Sequence, residues 1–388
     1  MTKASGYAAP GFEAVREAFE ENFEQRGEVG AACCVHVHGR VVADLWSGLA
    51  DKATGRAWEE DTLQLVFSTT KGATSTCVHM LVERGLLDLD APVADYWPEF
   101  AAAGKRDIPI RHVLSHQAGL AALDHPLSPA EVLAWHPMTE ALARQKPLWE
   151  PGTKHAYHAV TYGFLTGELV RRVTGRSLGR FFAEEVAEPL GLDFWIGLPE
   201  EHEARVAKLV PPQFVLPEGT DLDSLGEPMA SIVRAIMDPT SLPTRALAVS
   251  DPPLDFDARE VHAAELPASN GIGTARALSR MYAALIGEVD GIRLLDPATV
   301  ERARTSQARG PDGTLIVPTN WGLGFQLSIE SNLLSGPGAF GHNGLGGSLA
   351  FAHPELGIAF GYAMNGMAMG IGTDPRAARL IEAVKGCL

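Results

Sequence analysis

The stretch "LVFSTTKGATST", residues 65–76, marks an abrupt change of pattern. A strand-like apolar run, Leu63–Phe67, ends at Ser68, and a helical pattern continues from there to Glu83. Lys71 follows three residues after Ser68. Residues at this spacing share one helix face, with Cβ atoms about 5–6 Å apart. The spacing therefore predicts that the amine reaches the serine oxygen.

This serine has two readings, a helix cap or a nucleophile with a base beside it. A serine hydroxyl needs a base and a group that holds the oxyanion before it attacks a carbonyl. The start of a helix has free N–H groups and a positive dipole, so the N–H of Ser68 is a candidate for that second task. The dipole and burial would both lower the pKa of Lys71. The pattern S-x-x-K also arises by chance, so other segments must decide.

The composition limits the function classes. The chain has 388 residues, is 46% hydrophobic and carries a net charge of −16. That charge disfavours nucleic-acid and anionic-membrane partners. Four cysteines without metal-ligand spacing predict free thiols and no metal site. The amphipathic N-terminal segment lacks the apolar stretch of a signal peptide, and we expect a cytoplasmic protein.

The order of patterns predicts an α/β domain combined with a mainly helical domain. Residues 1–66 and 268–388 carry strand and terminal-helix patterns, which predict one antiparallel sheet flanked by helices. Residues 67–267 form the inserted mainly helical domain, with a proline-rich irregular segment at 211–267. We expect the active site in the cleft between the two domains.

Two later segments support the catalytic interpretation of Ser68. Residues 150–170, "EPGTKHAYHAVTYGFLTGELV", place Tyr157 just before a helix, and residues 340–354, "FGHNGLGGSLAFAHP", form a glycine-rich start to a late strand. In this order the segments resemble the serine β-lactamase and penicillin-binding-protein superfamily, whose pattern is S-x-x-K, then Y-x-N or S-x-N, then K-T-G or H-x-G. The similarity covers nearly the whole chain and is nearest to the class C-like family VIII carboxylesterases. It implies a β-lactamase-like fold.

The resemblance implies a role for each matching residue. Ser68 corresponds to the acylated nucleophile, Lys71 to its base partner and Tyr157 to the tyrosine that shuttles the proton. The backbone N–H groups of Ser68 and Leu345 correspond to the oxyanion hole. The remaining candidates for substrate contact are His342, Asn343 and Gly344, which replace K-T-G, and His158.

Two positions depart from the family pattern. Ala159 stands where the asparagine of Y-x-N is expected, and His342 replaces the lysine of K-T-G. These positions help bind the amide and carboxylate of β-lactams in the family. Their loss favours neutral esters, although a protonated His342 at lower pH would still attract a carboxylate.

A second serine motif competes with Ser68. The sequence "GRSLG", residues 175–179, matches the G-x-S-x-G elbow of α/β-hydrolases, which requires a strand, a sharp turn and then a helix. Here Gly175 follows a helical pattern, so we interpret Ser177 as the cap of the next helix.

The sequence thus predicts a carboxylesterase for short acyl chains that acts on small-molecule esters without a cofactor. A β-lactamase or D-amino-acid peptidase, an acyltransferase, and a non-catalytic penicillin-binding-like protein remain as alternatives. The oligomeric state stays open.

Overall fold

The computed structural model describes residues 3–212, 220–330, 332–370 and 372–388. Its strands, in chain order, are Ser5–Ala8 (β1), Gly30–Val37 (β2), Arg40–Asp51 (β3), Arg56–Ala57 (β4), Gln64–Leu65 (β5), Phe194–Trp195 (β6), Ile272–Gly273 (β7), Ala308–Pro311 (β8), Pro318–Trp321 (β9), Gln326–Leu327 (β10), Phe340–Asn343 (β11), Leu349–His353 (β12) and Ile358–Met364 (β13).

The helices surround these strands. The α-helices are Glu13–Gln25 (α1), Thr70–Glu83 (α2), Val93–Tyr96 (α3), Ile110–Leu114 (α4), Pro129–Leu133 (α5), His136–Arg144 (α6), Thr161–Thr174 (α7), Leu178–Phe182 (α8), Glu188–Leu190 (α9), Met229–Met237 (α10), Leu242–Leu247 (α11), Arg259–Ala263 (α12), Ala275–Ile286 (α13), Pro297–Ala303 (α14) and Pro375–Gly386 (α15). A π-helical turn at Ala183–Ala187 joins α8 to α9.

The main sheet is antiparallel, in the order β1-β3-β2-β13-β12-β11-β10-β9-β8, with β4 beside β3. The central pairing of β2 with β13 joins the two ends of the chain, from Ala31 opposite Met364 to Val37 opposite Ile358. His38 and Gly39 link β2 to β3 with positive φ at both residues, as a two-residue hairpin turn requires. The predicted fold class, an antiparallel sheet flanked by helices, is confirmed.

Both faces of the sheet are covered by apolar helices. On one face, α1 and α15 contribute Phe19 and Leu380 to a cluster with sheet residues such as Phe360. On the other face, a larger cluster runs from sheet residues through α13 into α2 and α7. Helix α2 therefore lies deep inside the protein. Because this core is continuous, the division into two domains stays a prediction.

Some elements were not predicted from the sequence. A small second sheet, in the order β5-β7-β6, places the strand before Ser68 against residues 272–273. The predicted irregular segment 211–267 contains the short helices α10, α11 and α12, while its residues 213–219 lie outside the described residues.

Three further observations concern membrane spans, metal binding and the cysteines in the described residues. None of the helices there combines the length and apolar character needed to cross a bilayer. No group of three or more His, Cys, Asp or Glu side chains there has the geometry to hold a metal ion. The four cysteines are free thiols, as predicted, and Cys387 is the one that is not fully buried.

Candidate active site

Ser68 reaches solvent from an otherwise buried part of the chain. Every residue from Thr62 to Leu81 is buried except Ser68, which is half-buried. The serine occupies a turn between β5 and α2, and the helix begins two residues later than Ser68, at Thr70. A polar side chain at the only opening of a buried segment is placed to meet a ligand.

The turn is held in a strained conformation by local hydrogen bonds. Phe67, directly before Ser68, has φ +44°, which is uncommon for a bulky residue. Its carbonyl oxygen accepts hydrogen bonds from the N–H of Thr70 at 3.0 Å and from the Thr70 hydroxyl at 2.5 Å. The N–H of Lys71 donates to the Ser68 carbonyl at 3.0 Å. Strain of this kind concentrates at functional sites.

Lys71 lies inside the protein with its amine beside the serine. The side chain is fully buried, and Nζ lies 3.2 Å from Ser68 Oγ. The amine also donates to the carbonyl oxygens of Ala159 at 2.6 Å and Ala268 at 3.0 Å. These two carbonyls aim the amine at the serine oxygen, which confirms the contact expected from the three-residue spacing.

The surroundings of Lys71 favour its neutral form. Burial lowers its pKa well below the ordinary value of 10.5. Among the described residues, no Asp or Glu carboxylate lies within ion-pair distance of Nζ. A neutral amine has two N–H groups for the two carbonyls, which leaves its lone pair to accept the proton of Ser68.

Tyr157 is held by stacking and by one backbone hydrogen bond. Its ring stacks on Trp321 with centroids 5.3 Å apart and an angle of 3° between the planes. Lys71 Nζ lies 4.7 Å from the centre of the tyrosine ring. The N–H of Tyr157 donates to Asp312 at 2.9 Å. The structure thus brings the three predicted catalytic residues together.

The phenol of Tyr157 remains protonated near neutral pH. Burial raises its pKa above the ordinary value of 10, and the neighbouring Ser68 hydroxyl opposes this increase only in part. Within the described residues the phenol oxygen makes no hydrogen bond of regular geometry. A buried O–H without a partner next to Ser68 is ready to exchange a proton with the reacting oxygens.

Asp312 accepts hydrogen bonds from several groups around Tyr157, and the sequence did not predict its place in the site. One of its oxygens accepts from the N–H groups of Tyr157, Thr314 and Leu315, and the other from the side chains of Thr319 and Trp321. The carboxylate therefore ties the tyrosine to the aromatic ring on which it stacks. Asp312 is 155 residues away from Tyr157 along the chain, so no local motif signals the contact.

The ring of His116 packs against the ring of Tyr157. Its ring packs edge-on to Tyr157 and Trp321, with centroid distances of 5.0 Å and 4.3 Å. The His116 Nδ1 accepts a hydrogen bond from the N–H of His158 at 3.2 Å, and burial lowers the pKa of His116 well below 6.5. A neutral, backbone-bound ring fits a positioning role.

The segment 342–348 is attached directly to the turn that carries Ser68. The Ser348 hydroxyl donates to the Val66 carbonyl at 2.8 Å and lies 3.1 Å from the Thr69 hydroxyl. Gly344 lies so close to this turn that a Cβ there would overlap the Val66 carbonyl oxygen and the Ser348 hydroxyl. Glycine is required at this position because two backbones meet there.

The two amides predicted to form the oxyanion hole are free. Neither the N–H of Ser68 nor that of Leu345 makes a hydrogen bond within the described part of the chain. Leu345 follows the contact at Gly344 and its side chain is 53% exposed. Free N–H groups on two touching segments suit an oxyanion, and their pairing stays a prediction.

Arg376 contacts the loop that carries Leu345, and the sequence did not predict this contact. This buried guanidinium donates to the carbonyls of Gly346 and Gly366 and forms ion pairs with Glu28 and Asp374. Asp374 is two residues away along the chain, whereas Glu28 is 348 residues away. The contact with Gly346 restrains the loop that carries Leu345.

His342 is buried and uncharged. Its Nδ1–H donates to the Asn343 carbonyl at 2.6 Å, and its Nε2 has no partner among the described residues. Burial and the nearby Lys71 amine lower the pKa of His342 to about 3. Charge on His342 is therefore confined to pH far below its ordinary range, because desolvation outweighs its ordinary basicity.

His158 and Asn343, two further predicted substrate contacts, differ in whether their polar side-chain atoms are free to bind a substrate. Both ring nitrogens of His158 contact the backbone, at Leu120 N–H (3.1 Å) and the Ala156 carbonyl (2.8 Å), which favours a positioning role over substrate contact. The side-chain N–H of Asn343 donates a hydrogen bond to the side-chain oxygen of Asn332. The side-chain oxygen of Asn343 has no partner in the described chain. Asn343 therefore remains a candidate for substrate contact.

Ser177 caps a helix, as predicted. Its hydroxyl accepts from the N–H of Arg180 at 3.3 Å and donates to Glu265 at 2.5 Å. Gly175 ends the preceding helix α7 with φ +70°. The strand–turn–helix context of a nucleophile elbow is absent from this described segment.

Replacing Gly344 with alanine is expected to lower activity and stability together. The added methyl would push the 342–348 segment away from the Ser68 turn, and a shift of about 1 Å at a catalytic group costs on the order of 10²-fold in rate. Overpacking should also cost about 1–3 kcal/mol of unfolding free energy. Steady-state kinetics and thermal melts test this, with Gly386→Ala as control because that position opens into empty space. A Gly344→Ala protein with wild-type kcat would contradict the close contact.

A half-buried serine beside a buried amine and two free backbone N–H groups is an arrangement that suits nucleophilic chemistry at a carbonyl. Residues 15–383 match the Beta-lactamase family model, and the chain belongs to this family. It is 39% identical over 368 residues to the esterase/beta-lactamase LipL of Mycobacterium tuberculosis, covering 93% of this chain and 82% of LipL.

Solved structures agree with this assignment. A family VIII carboxylesterase is 39% identical with a TM-score of 0.88, and a penicillin-binding protein homologue from Caulobacter crescentus is 40% identical with a TM-score of 0.88. Both alignments cover 100% of each chain. The predicted resemblance to the superfamily is confirmed.

Proposed function

We propose that this protein is a carboxylic ester hydrolase that works through an acyl-enzyme on Ser68. The observation that carries the proposal is the pairing of an accessible serine with a buried amine. Nζ of Lys71 lies 3.2 Å from Ser68 Oγ and has no acidic partner in the described chain. An esterase activity also appears in the names of relatives that align over most of the chain.

In the first step, Ser68 Oγ bonds to the carbonyl carbon of a short-chain ester. Its proton passes to the Lys71 amine, with Tyr157 completing the relay. The free N–H groups of Ser68 and Leu345 stabilise the oxyanion. The carbon–oxygen bond to the alcohol then breaks, and the same pair returns the proton to the leaving oxygen.

In the second step, water attacks the acyl group on Ser68. The Lys71 and Tyr157 pair accepts the proton of the water and later protonates Ser68 Oγ as the acid is released. Each proton taken up is thus given back, and the cycle needs no cofactor.

The same site supports a preference for neutral esters. Ala159 offers no side-chain amide, and His342 offers a neutral ring instead of a cation. A polar substrate group left unpaired on binding costs roughly 1–3 kcal/mol. A cytoplasmic location and the absence of nucleic-acid and membrane partners remain predictions from the sequence.

The acyl-enzyme can be tested directly by mass spectrometry. Acid quenching during turnover of p-nitrophenyl butyrate should trap a fraction of the protein with the mass of one added butyryl group. Peptide mapping should locate this group on Ser68. An enzyme that turns over the ester without any adduct on Ser68 would remove this residue from the mechanism.

A β-lactamase is the second candidate, because the relative LipL carries that activity in its name. Ester hydrolysis should nevertheless exceed nitrocefin hydrolysis in kcat/KM. If nitrocefin is the better substrate, the β-lactamase assignment replaces the esterase assignment.

The ratio of the two activities should not change with pH. Since the pKa of His342 is about 3, this histidine stays neutral from pH 5 to pH 8 and gives the nitrocefin carboxylate no cation. Protonation of Lys71 affects both substrates alike, so it cancels in the ratio of kcat/KM values for butyrate ester and nitrocefin. A ratio that shifts toward nitrocefin at pH 5 would show that a site group gains charge there.

A further inference from the structure

An apolar cavity of about 300 Å³ lies between the residue before α7 and the segment 236–269. Its walls come from the start of α7, from α10 and α11, and from the loops at 249–256 and 266–269. The apolar lining consists mainly of Ile236, Leu247, Val249, Leu254, Phe256 and Leu266. Much of this wall is supplied by the proline-rich segment 211–267.

Two chain neighbours and one ring contact connect the cavity wall to the surroundings of Ser68 and Lys71. The lining residues Val160 and Ser269 directly follow Ala159 and Ala268, whose carbonyls hold the Lys71 amine. The Phe256 ring lies 5.1 Å from the ring of Phe67, which directly precedes Ser68. Three segments of the cavity wall therefore lie next to residues that hold the Lys71 amine or directly precede Ser68.

The lining selects an uncharged, apolar group. No charged side chain occurs among the described residues that form the wall. The Thr244 hydroxyl in the lining already donates to the Ala235 carbonyl at 2.9 Å. At the mouth, the side chains of Ile236 and Leu247 are 56% and 58% exposed. Exposed aliphatic side chains at the rim of an apolar cavity are typical of a ligand site.

We propose that this cavity binds the apolar chain of the ester substrate, a deduction that rests on the proposed function. Its volume lies at the lower end of the range for small-molecule sites and accommodates a chain of about six to eight carbons. The short-chain esters of the proposed function remain substrates of the same catalytic groups, and kcat/KM rises further when the chain reaches medium length, in place of the short-chain preference expected from the sequence.

Two substrate series test the proposal and identify which side of the ester enters the cavity. One series is p-nitrophenyl esters from acetyl to dodecanoyl, and the other is alkyl acetates from ethyl to dodecyl, followed by titration of released acid. Each methylene that becomes buried should raise kcat/KM by up to about fourfold. We expect at least a tenfold rise from four to eight carbons in one series, and a decline beyond that length.

Two variants connect the length preference to the cavity. Ala248→Trp fills the space and Leu247→Glu places a carboxylate at its mouth; both positions line the cavity and are exposed enough to tolerate the change. Each should lower the eight-carbon to two-carbon ratio of kcat/KM at least tenfold. Ala53→Trp, on an exposed turn outside the cavity, should keep the wild-type ratio.

The outcomes separate this proposal from the proposed function. Acetyl ester hydrolysis with a flat response in both series, or with ratios unchanged in both folded variants, overturns the cavity assignment and leaves the esterase intact. Failure to hydrolyse any ester overturns the esterase and, with it, the cavity assignment.

Discussion

Ser68→Ala is expected to abolish ester hydrolysis, whereas Ser177→Ala leaves kcat near the wild-type value. The two serines differ in surroundings and not in chemistry. Ser68 is the half-buried member of a buried segment and lies next to an amine whose pKa is lowered well below its ordinary value by burial. Ser177 has its hydroxyl engaged with Glu265 and the N–H of Arg180, and no histidine or lysine contacts it in the described chain. Removing a nucleophile costs on the order of 10⁶-fold in kcat.

The Ser177 variant has its own measurable effect. Loss of this helix cap should lower the unfolding free energy by about 0.5–2 kcal/mol. Thermal melts of both variants and labelling with an alkyl fluorophosphonate test the assignment. We expect label on wild type and Ser177→Ala, and none on Ser68→Ala. Label on Ser177 would transfer the chemistry to the elbow motif.

Much of the fold follows from local patterns in the sequence. The helical patterns that continue to Glu83 and that end before Gly175 are predicted by periodicity, and both helices occur. The pairing of β2 with β13 joins residues more than 300 positions apart. Such pairing was deduced from strand patterns at both chain ends, but the strand order within the sheet is set by tertiary packing that local patterns do not report.

The candidate site was only partly accessible from the sequence. Lys71 follows three residues after Ser68 in the turn that enters α2, so their contact follows from spacing alone. The convergence of Tyr157 with them was inferred from family resemblance. Asp312 and Trp321 contact Tyr157, and Arg376 contacts Gly346, across long stretches of the chain. No sequence motif predicts these contacts.

Charge states were the hardest feature to predict. His342 has an ordinary pKa that suggests protonation near pH 6, yet burial beside Lys71 holds it neutral. Desolvation depends on how completely the fold covers a side chain, which the sequence does not state. The same reasoning applies to Lys71, whose neutral form results from burial without a carboxylate partner.

This environment assigns different tasks to the lysine and the tyrosine. The pKa of Lys71 is lowered, so the amine can be unprotonated at working pH and act as the resting base. The pKa of Tyr157 is raised, so the phenol is protonated at rest and acts as a relay. Pairs of groups whose pKa values are driven apart commonly divide acid and base roles in this way.

Lys71→Met and Tyr157→Phe are each expected to lower kcat by about 10²–10⁴-fold, with much smaller changes in KM, because both groups act on protons in the transition state. The wild-type kcat/KM should rise with pH through one ionisation below 10.5, since only the unprotonated amine accepts the serine proton. In Tyr157→Phe, kcat/KM should still rise with pH through the same ionisation but level off at a lower value. A matched control is Tyr162→Phe, which removes a buried hydroxyl bonded to Ser75 and should cost stability with little effect on kcat. A rising limb that disappears in Tyr157→Phe would make the tyrosine, and not Lys71, the titrating base.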